Sequence, residues 1–296
     1  MKQNIKPGKT ELVRLVNIEK EFSLANEIYA KNEASNPSGS IKDRAVYQML
    51  LDYQADGTLI PGGVIVEATS GNTGISLSYF AKIFNYKAVI VMPSSMSVER
   101  RNMIASYGAT LVLVDGGMKE SNLKALEIVN STPNSFIFNQ FKNPSNPKAH
   151  YLETAKEIDE SLKDIDYIVA GIGTGGTITG IGKYFKERNY KTRIIGVEPF
   201  ESPLLNKGQA GPHKIQGIGA NFIPDILDLN VVDEILDIKG DEAIKNAYLI
   251  KELDNISCGY SSGASLGGAL ELIKKYNLKN KKIVVIFPDS GNRYKW

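Results

Sequence analysis

The sequence predicts an α/β fold made of two doubly wound, mostly parallel sheet domains. Short β-branched runs alternate with apolar helical patterns along most of the 296-residue chain, as in parallel sheets covered by helices on both faces. Two glycine-rich turns, at residues 69–74 and 171–177, each follow a predicted strand and precede a predicted helix. The stretch 143–147, with two prolines and two asparagines, separates these turns and is the clearest internal break.

Each element follows from the local pattern. Short apolar or β-branched runs bounded by turn residues predict strands, and longer runs with helical spacing predict helices. Before the break, the predicted elements are helix 43–53, strand 64–69, helix 75–84, strand 87–92, helix 98–107, strand 110–115, helix 119–129 and strand 135–139. After it come helix 151–162, strand 166–170, helix 178–188, strands 193–197 and 231–238, helices 242–253 and 265–276, and strand 282–287.

Composition narrows the class of protein. The chain is 42% hydrophobic, which allows a sizeable core, and its net charge of +2 gives no electrostatic reason to expect nucleic acid or a membrane surface. The single cysteine, Cys258, excludes an internal disulfide framework, and the two histidines, His150 and His213, are too far apart to suggest a metal cluster. With no apolar run of membrane-spanning length and no signal peptide, we expect a soluble cytoplasmic protein.

Lys42 is the first candidate catalytic residue. The segment 36–44 reads Asn-Pro-Ser-Gly-Ser-Ile-Lys-Asp-Arg, in which the first four residues predict a turn and Ser40 a helix cap. Lys42 would then lie in the first helical turn, where the positive end of the helix dipole disfavours an ammonium. A neutral amine suits attack on a carbonyl to form a Schiff base. The alternative is a solvated surface lysine.

The turn at residues 69–74, Thr-Ser-Gly-Asn-Thr-Gly, is a candidate anion site. A strand that ends in hydroxyls, glycines and an amide at a helix start presents backbone N–H groups to an anion. A substrate carboxylate would suit this turn. The alternative is that Ser70 and Thr73 are plain helix caps.

The second turn, Gly-Ile-Gly-Thr-Gly-Gly-Thr at residues 171–177, predicts a phosphate site, because successive glycines let backbone amides close around a phosphate at a helix start. A dinucleotide site competes with this interpretation. Gly171, Gly173 and Gly176 fit the dinucleotide fingerprint, and Glu198 ends the next strand where a ribose-binding acid is expected. The loop alone leaves the kind of phosphate open.

Taken together, the motifs resemble the cysteine synthase (O-acetylserine sulfhydrylase) family of pyridoxal-phosphate enzymes, which have the tryptophan-synthase-β fold type, or fold type II. The resemblance runs from about residue 12 to residue 294, with the pieces in the family's order. The matching segments are 36–44, 69–74, 92–97 (Met-Pro-x-x-Met-Ser), 173–177, 211–219 (Gly-Pro-His-Lys-Ile-Gln-Gly-Ile-Gly), 261–263 (Ser-Ser-Gly) and 288–294 (Pro-Asp-Ser-Gly-Asn-Arg-Tyr).

The resemblance implies a role for each matching position. Lys42 would form the Schiff base and carry the Cα proton, Asn72 would hydrogen-bond the phenolic oxygen of the cofactor, and Ser261 would face the pyridine nitrogen. The phosphate would be held by Gly173, Thr174, Gly175, Gly176 and Thr177, and the substrate carboxylate by Thr69, Ser70, Thr73 and Gln140. It also implies a domain at 36–146, a second domain formed by 1–35 and 147–296, a homodimer, and no metal.

Asp225 departs from the family pattern, in which a small or neutral residue is expected after the segment 217–224. It is either a turn acid following proline or a general base. A thiolate nucleophile needs no base, whereas water, with a pKa of about 15.7, does. A carboxylate here resembles the cysteine hydroxyl-lyase branch, in which L-cysteine and water give L-serine and hydrogen sulfide through an aminoacrylate.

Three alternatives stay open. One is an ordinary cysteine synthase, which converts O-acetyl-L-serine and sulfide to L-cysteine and acetate. The second is an NAD-dependent oxidoreductase built on Gly171, Gly173, Gly176 and Glu198, which leaves Lys42 and the turn 69–74 unexplained. The third is a non-catalytic family member that binds a partner such as serine acetyltransferase. All the residues that the family needs for chemistry are present, which argues against the third.

Overall fold

The computed structural model describes residues 5–69 and 71–294. These residues group into two compact units: unit 1 contains the described parts of Met1–Pro7 and Lys42–Asn146, and unit 2 those of Gly8–Ile41 and Pro147–Trp296. Residues 36–41, which the sequence analysis placed in the first domain, thus belong to unit 2. The reason is backbone pairing: the Ile41 N–H donates to the Pro288 carbonyl over 2.8 Å, and Ser40 pairs with Asp289 in an antiparallel bridge.

Ten strands and eleven α-helices make up most of the described chain. In chain order the strands are β1 (Leu12–Arg14), β2 (Glu27–Asn32), β3 (Val64–Ala68), β4 (Lys87–Pro93), β5 (Thr110–Val114), β6 (Ser135–Ile137), β7 (Tyr167–Gly171), β8 (Arg193–Pro199), β9 (Glu234–Ile238) and β10 (Lys282–Phe287). The helices are α1 (Val16–Glu21), α2 (Lys42–Ala55), α3 (Asn72–Phe84), α4 (Val98–Ser106), α5 (Met118–Ser131), α6 (Ser145–Ala149), α7 (Ala155–Ser161), α8 (Gly176–Glu187), α9 (Leu204–Lys207), α10 (Gly240–Asp254) and α11 (Tyr260–Tyr276). A π-helical turn, His150–Thr154, joins α6 to α7.

Unit 1 is built on a four-stranded parallel sheet with the strand order β5-β4-β3-β6. Successive residues of β3 point to opposite faces: Ile65 packs into an apolar cluster with residues of α2 and α3, whereas Val66 packs into a cluster with residues of α5. Helices therefore cover both faces of this sheet, which is why its strands are apolar almost without interruption.

Unit 2 contains a six-stranded sheet with the order β1-β2-β10-β7-β8-β9. Only β1 runs antiparallel to its neighbour; the other pairs are parallel. Adjacent residues of β10 again face opposite sides, since Val285 packs against α11 and Val284 against α8. The predicted α/β fold with two mostly parallel sheets is confirmed.

Several predicted boundaries differ from the structure. Ser40 is not a helix cap, because α2 begins at Lys42 and the buried Ser40 hydroxyl has no hydrogen-bond partner among the described residues. The predicted helix 265–276 begins earlier, at Tyr260, and the predicted strand 231–238 begins later, at Glu234. The single predicted helix 151–162 lies within a longer run of three pieces, from α6 through the π-helical turn to α7. The short elements β1, α1 and β2 were not predicted.

A buried ion pair ties the start of unit 2 to its helical layer. Lys31 of β2 is fully buried, and its Nζ lies 2.7 Å from Glu157 Oε2 of α7 and 2.7 Å from the Thr10 carbonyl oxygen. The same carboxylate accepts a hydrogen bond from the Lys9 N–H over 2.8 Å. Glu157 therefore neutralises a buried cation and also holds the segment that precedes β1.

Glu157→Ala should lower the free energy of unfolding by about 3–5 kcal/mol, because it leaves the Lys31 ammonium buried without a counter-charge. Lys156→Ala is the matched control, since Lys156 lies next to Glu157 on α7 and its pair with Glu160, at 3.7 Å, is exposed. The control should cost less than about 1 kcal/mol. Urea denaturation followed by circular dichroism measures both, and equal costs would contradict the account.

Candidate active site

Lys42 is the first residue of α2 and is half-buried. The next residue, Asp43, is fully buried and accepts a hydrogen bond from the Ser76 hydroxyl of α3, with 2.5 Å between Oγ and Oδ1. This bond fixes the first turn of α2 against α3, whose own first residue is Asn72. The predicted position of Lys42 in the first turn of a helix is confirmed. It is not a freely solvated surface lysine.

The predicted carboxylate turn lies at the C-terminal end of β3. Thr69 is buried, and its Oγ1 accepts a weak hydrogen bond from the Gly71 N–H over 3.4 Å. Gly71 is the N-cap of α3 and Asn72 its first residue. Ser70 lies outside the described residues. The backbone N–H groups at the start of α3 thus follow directly from the end of a parallel strand, where the ligands of α/β sheets bind.

Thr73 and Gln140 are brought together by the ends of two neighbouring strands. Thr73 lies in the first turn of α3, Gln140 lies beyond the end of β6, and both side chains are buried. The Thr73 hydroxyl donates to Gln140 Oε1 over 2.6 Å. Because this hydroxyl bonds to another side chain, Thr73 is not a plain helix cap. Two of the residues assigned to the substrate carboxylate are therefore in direct contact.

Glu67 is a buried carboxylate that the sequence analysis missed. It lies on β3, is 3% exposed, and accepts a hydrogen bond from the Asn139 N–H over 3.0 Å. Burial raises the pKa of Glu67 to about 7, although the backbone N–H groups of Asn139 and Gln140 and the Gln140 side-chain amide act against this shift. The signal in the sequence was a single acid within a strand of otherwise apolar residues.

In unit 2, the phosphate loop (residues 173–177) connects β7 to α8, which begins at Gly176. The backbone at Gly175 has φ +83°, a left-handed conformation that favours glycine, and a Cβ there would lie 2.7 Å from Leu227. A Cβ on Gly173 would collide with the carbonyl oxygen of Gly217. The loop is therefore lined by backbone rather than side chains at these positions, and the N–H groups at the start of α8 can approach a phosphate. The residues fit the phosphate of a cofactor.

Ser261 lies close to the same loop. It is the second residue of α11 and is 3% exposed. A Cβ on Gly217 would lie 3.9 Å from Ser261 Oγ, while Gly217 itself touches Gly173. Gly217 thus bridges the phosphate loop and the Ser261 hydroxyl within unit 2, so the structure places Ser261 near the residues predicted to hold the phosphate.

His150 contacts one of the predicted phosphate ligands. It lies in the π-helical turn and is buried, with its Nε2 3.4 Å from Thr177 Oγ1 and its Nδ1 3.0 Å from Thr154 Oγ1. Rare π-helical turns occur often at functional sites. His150 therefore orients the Thr177 hydroxyl as well as packing against α8.

Asp225 is exposed and lies in the loop that covers the phosphate loop from one side. The preceding residue, Pro224, and Gly173 line the same small cavity, and Leu227 packs against Gly175. A turn with a hydrogen bond from the Leu227 N–H to the Pro224 carbonyl, 3.1 Å long, encloses Asp225. The carboxylate is thus carried by a segment anchored on both sides to the predicted cofactor site.

Glu198 does not fit the dinucleotide alternative. It is 2% exposed, and its two carboxylate oxygens accept hydrogen bonds from the backbone N–H groups of Leu205 and Asn206, at 2.8 and 2.9 Å. The carboxylate therefore caps the start of α9 rather than presenting two free acceptors to a ribose. Glu198 has a structural role.

Cys258 and His213 are likewise structural. Burial raises the pKa of the Cys258 thiol to about 12, so it is not a nucleophile at neutral pH. His213 Nε2 lies 2.9 Å from the carbonyl oxygen of Gly219 and holds the loop that contains Gly217.

Among residues 5–69 and 71–294, no group of three or more metal-ligating side chains is close enough to bind an ion. In the same part of the chain, every helix is too short or too polar to span a bilayer.

Comparison with known proteins identifies the family of this chain. The family model described as "Pyridoxal-phosphate dependent enzyme" matches residues 5–289. Cysteine synthase A of Escherichia coli K12 is 46% identical over 97% of this chain and 91% of its own length, and cysteine synthase B of Campylobacter jejuni is 47% identical over 97% and 94%.

Solved structures give the same picture. A hydrogen sulfide-producing enzyme from Fusobacterium nucleatum superposes with a TM-score of 0.94 at 40% identity, covering 100% of both chains. A cysteine synthase from Entamoeba histolytica gives a TM-score of 0.95 at 40% identity, covering 99% of this chain and 89% of its own. The chain belongs to the pyridoxal-phosphate dependent enzymes and, within them, to the cysteine synthase group that carries out β-replacement.

Proposed function

We propose that this enzyme replaces the sulfur of L-cysteine with the oxygen of water and so produces L-serine and hydrogen sulfide. The observation that carries the proposal is Asp225, a carboxylate on a loop whose flanking residues pack against the phosphate loop. The similarity to a hydrogen sulfide-producing enzyme over the whole length of both chains supports it. So does the solved structure of an Asp-to-Asn mutant of another hydrogen sulfide-producing enzyme, captured with an α-aminoacrylate intermediate.

The chain offers a candidate ligand for each part of pyridoxal phosphate. Lys42 would bind it covalently through Nζ, and Asn72 at the start of α3 would donate to its phenolic oxygen. The backbone N–H groups and hydroxyls of the phosphate loop would bind its phosphate, since anions are stabilised at helix N-termini. The Ser261 hydroxyl would face its pyridine nitrogen. A neutral hydroxyl, unlike a carboxylate, does not hold a proton on that nitrogen.

The chain's own groups would then move protons at two carbons. When bound, the cofactor withdraws electrons from Cα and so allows a substituent on Cβ to leave. Lys42 Nζ would take the proton from Cα and return it at the end. At Cβ the C–S bond breaks and a C–O bond forms, and Asp225 would accept the proton that water loses. The sulfur departs as HS⁻, and the proton that Asp225 took from water passes on to it through solvent to give hydrogen sulfide, so atoms and charge balance.

The substrate carboxylate would bind at the turn that follows β3. We assign it to the start of α3, where the backbone N–H groups and the positive end of the helix dipole favour an anion. Thr69, Ser70, Thr73 and Gln140 are the proposed side-chain ligands. Thr73 and Gln140 already share a hydrogen bond, so they would act as a pair.

Cysteine synthase is the second candidate. The curated relatives at 46–47% identity carry that name, and its thiolate nucleophile would leave Asp225 without a catalytic role. The two functions are separated by giving the holoenzyme L-cysteine alone and, separately, O-acetyl-L-serine with sulfide. Serine and sulfide from cysteine alone support the proposal. Turnover only of the acetylated substrate would establish the synthase.

Lys42→Ala should abolish the visible absorption band of the lysine-bound cofactor and reduce turnover to background, because no amine is then available at the start of α2. Lys82→Ala, in the last turn of α3, should leave both unchanged. Borohydride reduction followed by peptide mass spectrometry locates the modified lysine. Modification of any lysine other than Lys42 would contradict the assignment.

Ser261→Ala should weaken cofactor binding or slow loss of the Cα proton, because the pyridine nitrogen loses its hydrogen-bonding partner. The covalent attachment at Lys42 should remain. Ser265→Ala is the matched control, since that hydroxyl donates to the Ser261 carbonyl, one turn away on α11. The rate of cofactor dissociation and the rate of α-deuterium exchange, measured on both variants, test the role of the Ser261 hydroxyl. Equal behaviour of the two would refute the role.

Asp225→Asn should lower the rate of serine formation by about 10²–10⁴-fold, as expected when a general base is removed. Release of one sulfide per site in a single turnover should persist, because that step does not need water. Asp228→Asn is the control: Asp228 lies in the same loop, but its carboxylate caps the following turn and pairs with Lys183. Unchanged serine formation in Asp225→Asn would exclude Asp225 as the base.

A further inference from the structure

The contacts of Glu67 go beyond a buried charge in a sheet. Its Oε2 accepts from the N–H of Asn139, whose backbone has φ +63°, a left-handed conformation. The Asn139 carbonyl in turn accepts from the N–H groups of Lys142 and Asn143, both at 3.1 Å. The carboxylate therefore anchors the turn that presents Gln140.

The hydrogen bond between Thr73 and Gln140 has a direction. The Thr73 hydroxyl gives its single proton to Gln140 Oε1, so in this arrangement Thr73 can accept but not donate. The Gln140 side-chain amide lowers the pKa of Glu67. A hydrogen-bond donor has this effect because it stabilises the ionised carboxylate, and the donor of an amide side chain is its NH₂ group. The amide thus turns its oxygen to Thr73 and its NH₂ to Glu67.

This direction is wrong for binding an anion. A substrate carboxylate only accepts hydrogen bonds, and it requires donors from Thr73 and Gln140. Turning the amide by 180° would supply both, because its NH₂ would face Thr73 and the substrate, and Thr73 would regain a proton to donate. Gln140 Oε1 would then face Glu67. If the Glu67 carboxylate were ionised, two hydrogen-bond acceptors would face each other and repel.

We propose that Glu67 is a positioning residue that takes up one proton when the substrate carboxylate binds and so holds the Gln140 amide in its donating orientation. The inference rests on the proposed function of the Thr73–Gln140 pair as carboxylate ligands. The protonated carboxyl of Glu67 donates to Gln140 Oε1 and still accepts from the Asn139 N–H. The raised pKa of Glu67 makes this proton available near neutral pH.

The surroundings contain few competing charges. On α2, the pKa of the Tyr53 hydroxyl is raised mainly by burial and to a smaller extent by the charge of Glu67, and this hydroxyl donates to the Phe138 carbonyl over 2.7 Å. The strand neighbours are apolar: Ile90 of β4 lies opposite Glu67, and Ile137 of β6 lies opposite Val66. On α5, Lys119, Glu120 and Glu127 are exposed, and Lys124 pairs with Glu127 at 2.6 Å. On α3, Lys82 is in the last turn, far along the helix from Thr73.

The sign of the linkage follows directly. Above the pKa of Glu67 in the free enzyme, the fraction of molecules with a protonated Glu67 falls about tenfold with each pH unit. Because the bound state needs that proton, a carboxylate ligand should bind about tenfold more weakly per unit. Below that pKa the affinity should be constant. A ligand that lacks the carboxylate should not show this slope.

The test measures dissociation constants of the holoenzyme for L-alanine and L-alaninol between pH 6 and pH 9 by the change in cofactor absorption. L-Alanine has the carboxylate but no leaving group, and L-alaninol corrects for titration of the ligand amine and Lys42. The ratio of the two constants should rise about tenfold per unit above pH ~7 in the native enzyme. In Glu67→Gln it should stay flat, because a neutral amide can donate to Gln140 at every pH.

Two further measurements make the result decisive. Tyr53→Phe, the control for the other ionisable neighbour, should keep the native slope. Calorimetry of L-alanine binding in two buffers of different ionisation enthalpy should show uptake of about one proton at pH 8 beyond that seen with L-alaninol, and it requires no variant. A flat ratio in the native enzyme, or the native slope in Glu67→Gln, would overturn the role of Glu67. If L-alanine caused no change in the cofactor absorption of the native holoenzyme at any pH, that result would count against the proposed function itself.

Discussion

Within unit 2, the close approach of the Gly173 backbone to the Gly217 carbonyl oxygen positions the candidate cofactor ligands. No side chain fits between them, so the loop after β7 and the loop before Asp225 approach to the distance of two backbones. Gly217 lies next to Ser261, and Gly173 lines a small cavity together with Pro224, the residue before Asp225. A methyl group at residue 173 would push the phosphate loop away from Gly217, and so from groups that the proposed function uses together.

Unit 1 is subject to a different constraint: the polar side chains buried beside its sheet need hydrogen-bond partners. Asp43, Glu67, Thr73, Ser76 and Gln140 are all at most 6% exposed, and each would be costly to bury without a partner. The structure satisfies them in two linked sets, one between α2 and α3 and one between α3 and the turn after β6. The first set fixes the helix that starts at Lys42. The second carries the candidate ligands of the substrate carboxylate.

Much of the fold and of the candidate site could be predicted from the sequence, because turn residues mark the point where each parallel strand ends and the next helix begins. Strand-to-helix turns rich in glycine and hydroxyl residues identified Thr69, Thr73 and the phosphate loop, and the structure places each at the C-terminal end of a parallel strand. What failed depended on contacts between distant segments. β1 is three residues long and is held by pairing with β2, and β2 contains the fully buried Lys31, whose charge hid the apolar pattern.

The candidate site shows the same division. Glu67 looks like an ordinary interruption of a strand until Asn139 and Gln140 fold back onto it, 72 and 73 positions later in the chain. Ser40 had the local chemistry of a cap but pairs through its backbone with Asp289. Local patterns therefore identified the candidate ligand-binding residues, whereas the residues that hold them in place became visible only in three dimensions.

The position of β10 has a consequence for how the protein is made on the ribosome. This strand, near the end of the chain, lies between β2 and β7 and pairs with both. Until residues 282–287 leave the exit tunnel, β2 has no parallel partner, and the sheet of unit 2 remains in two pieces. Unit 1, built almost entirely from the continuous stretch Lys42–Asn146, can close its sheet much earlier. Nascent unit 2 therefore exposes the unpaired edge of β2 for most of translation, and the edge of β7 from the time that strand is made, and chaperones that shield strand edges would act there.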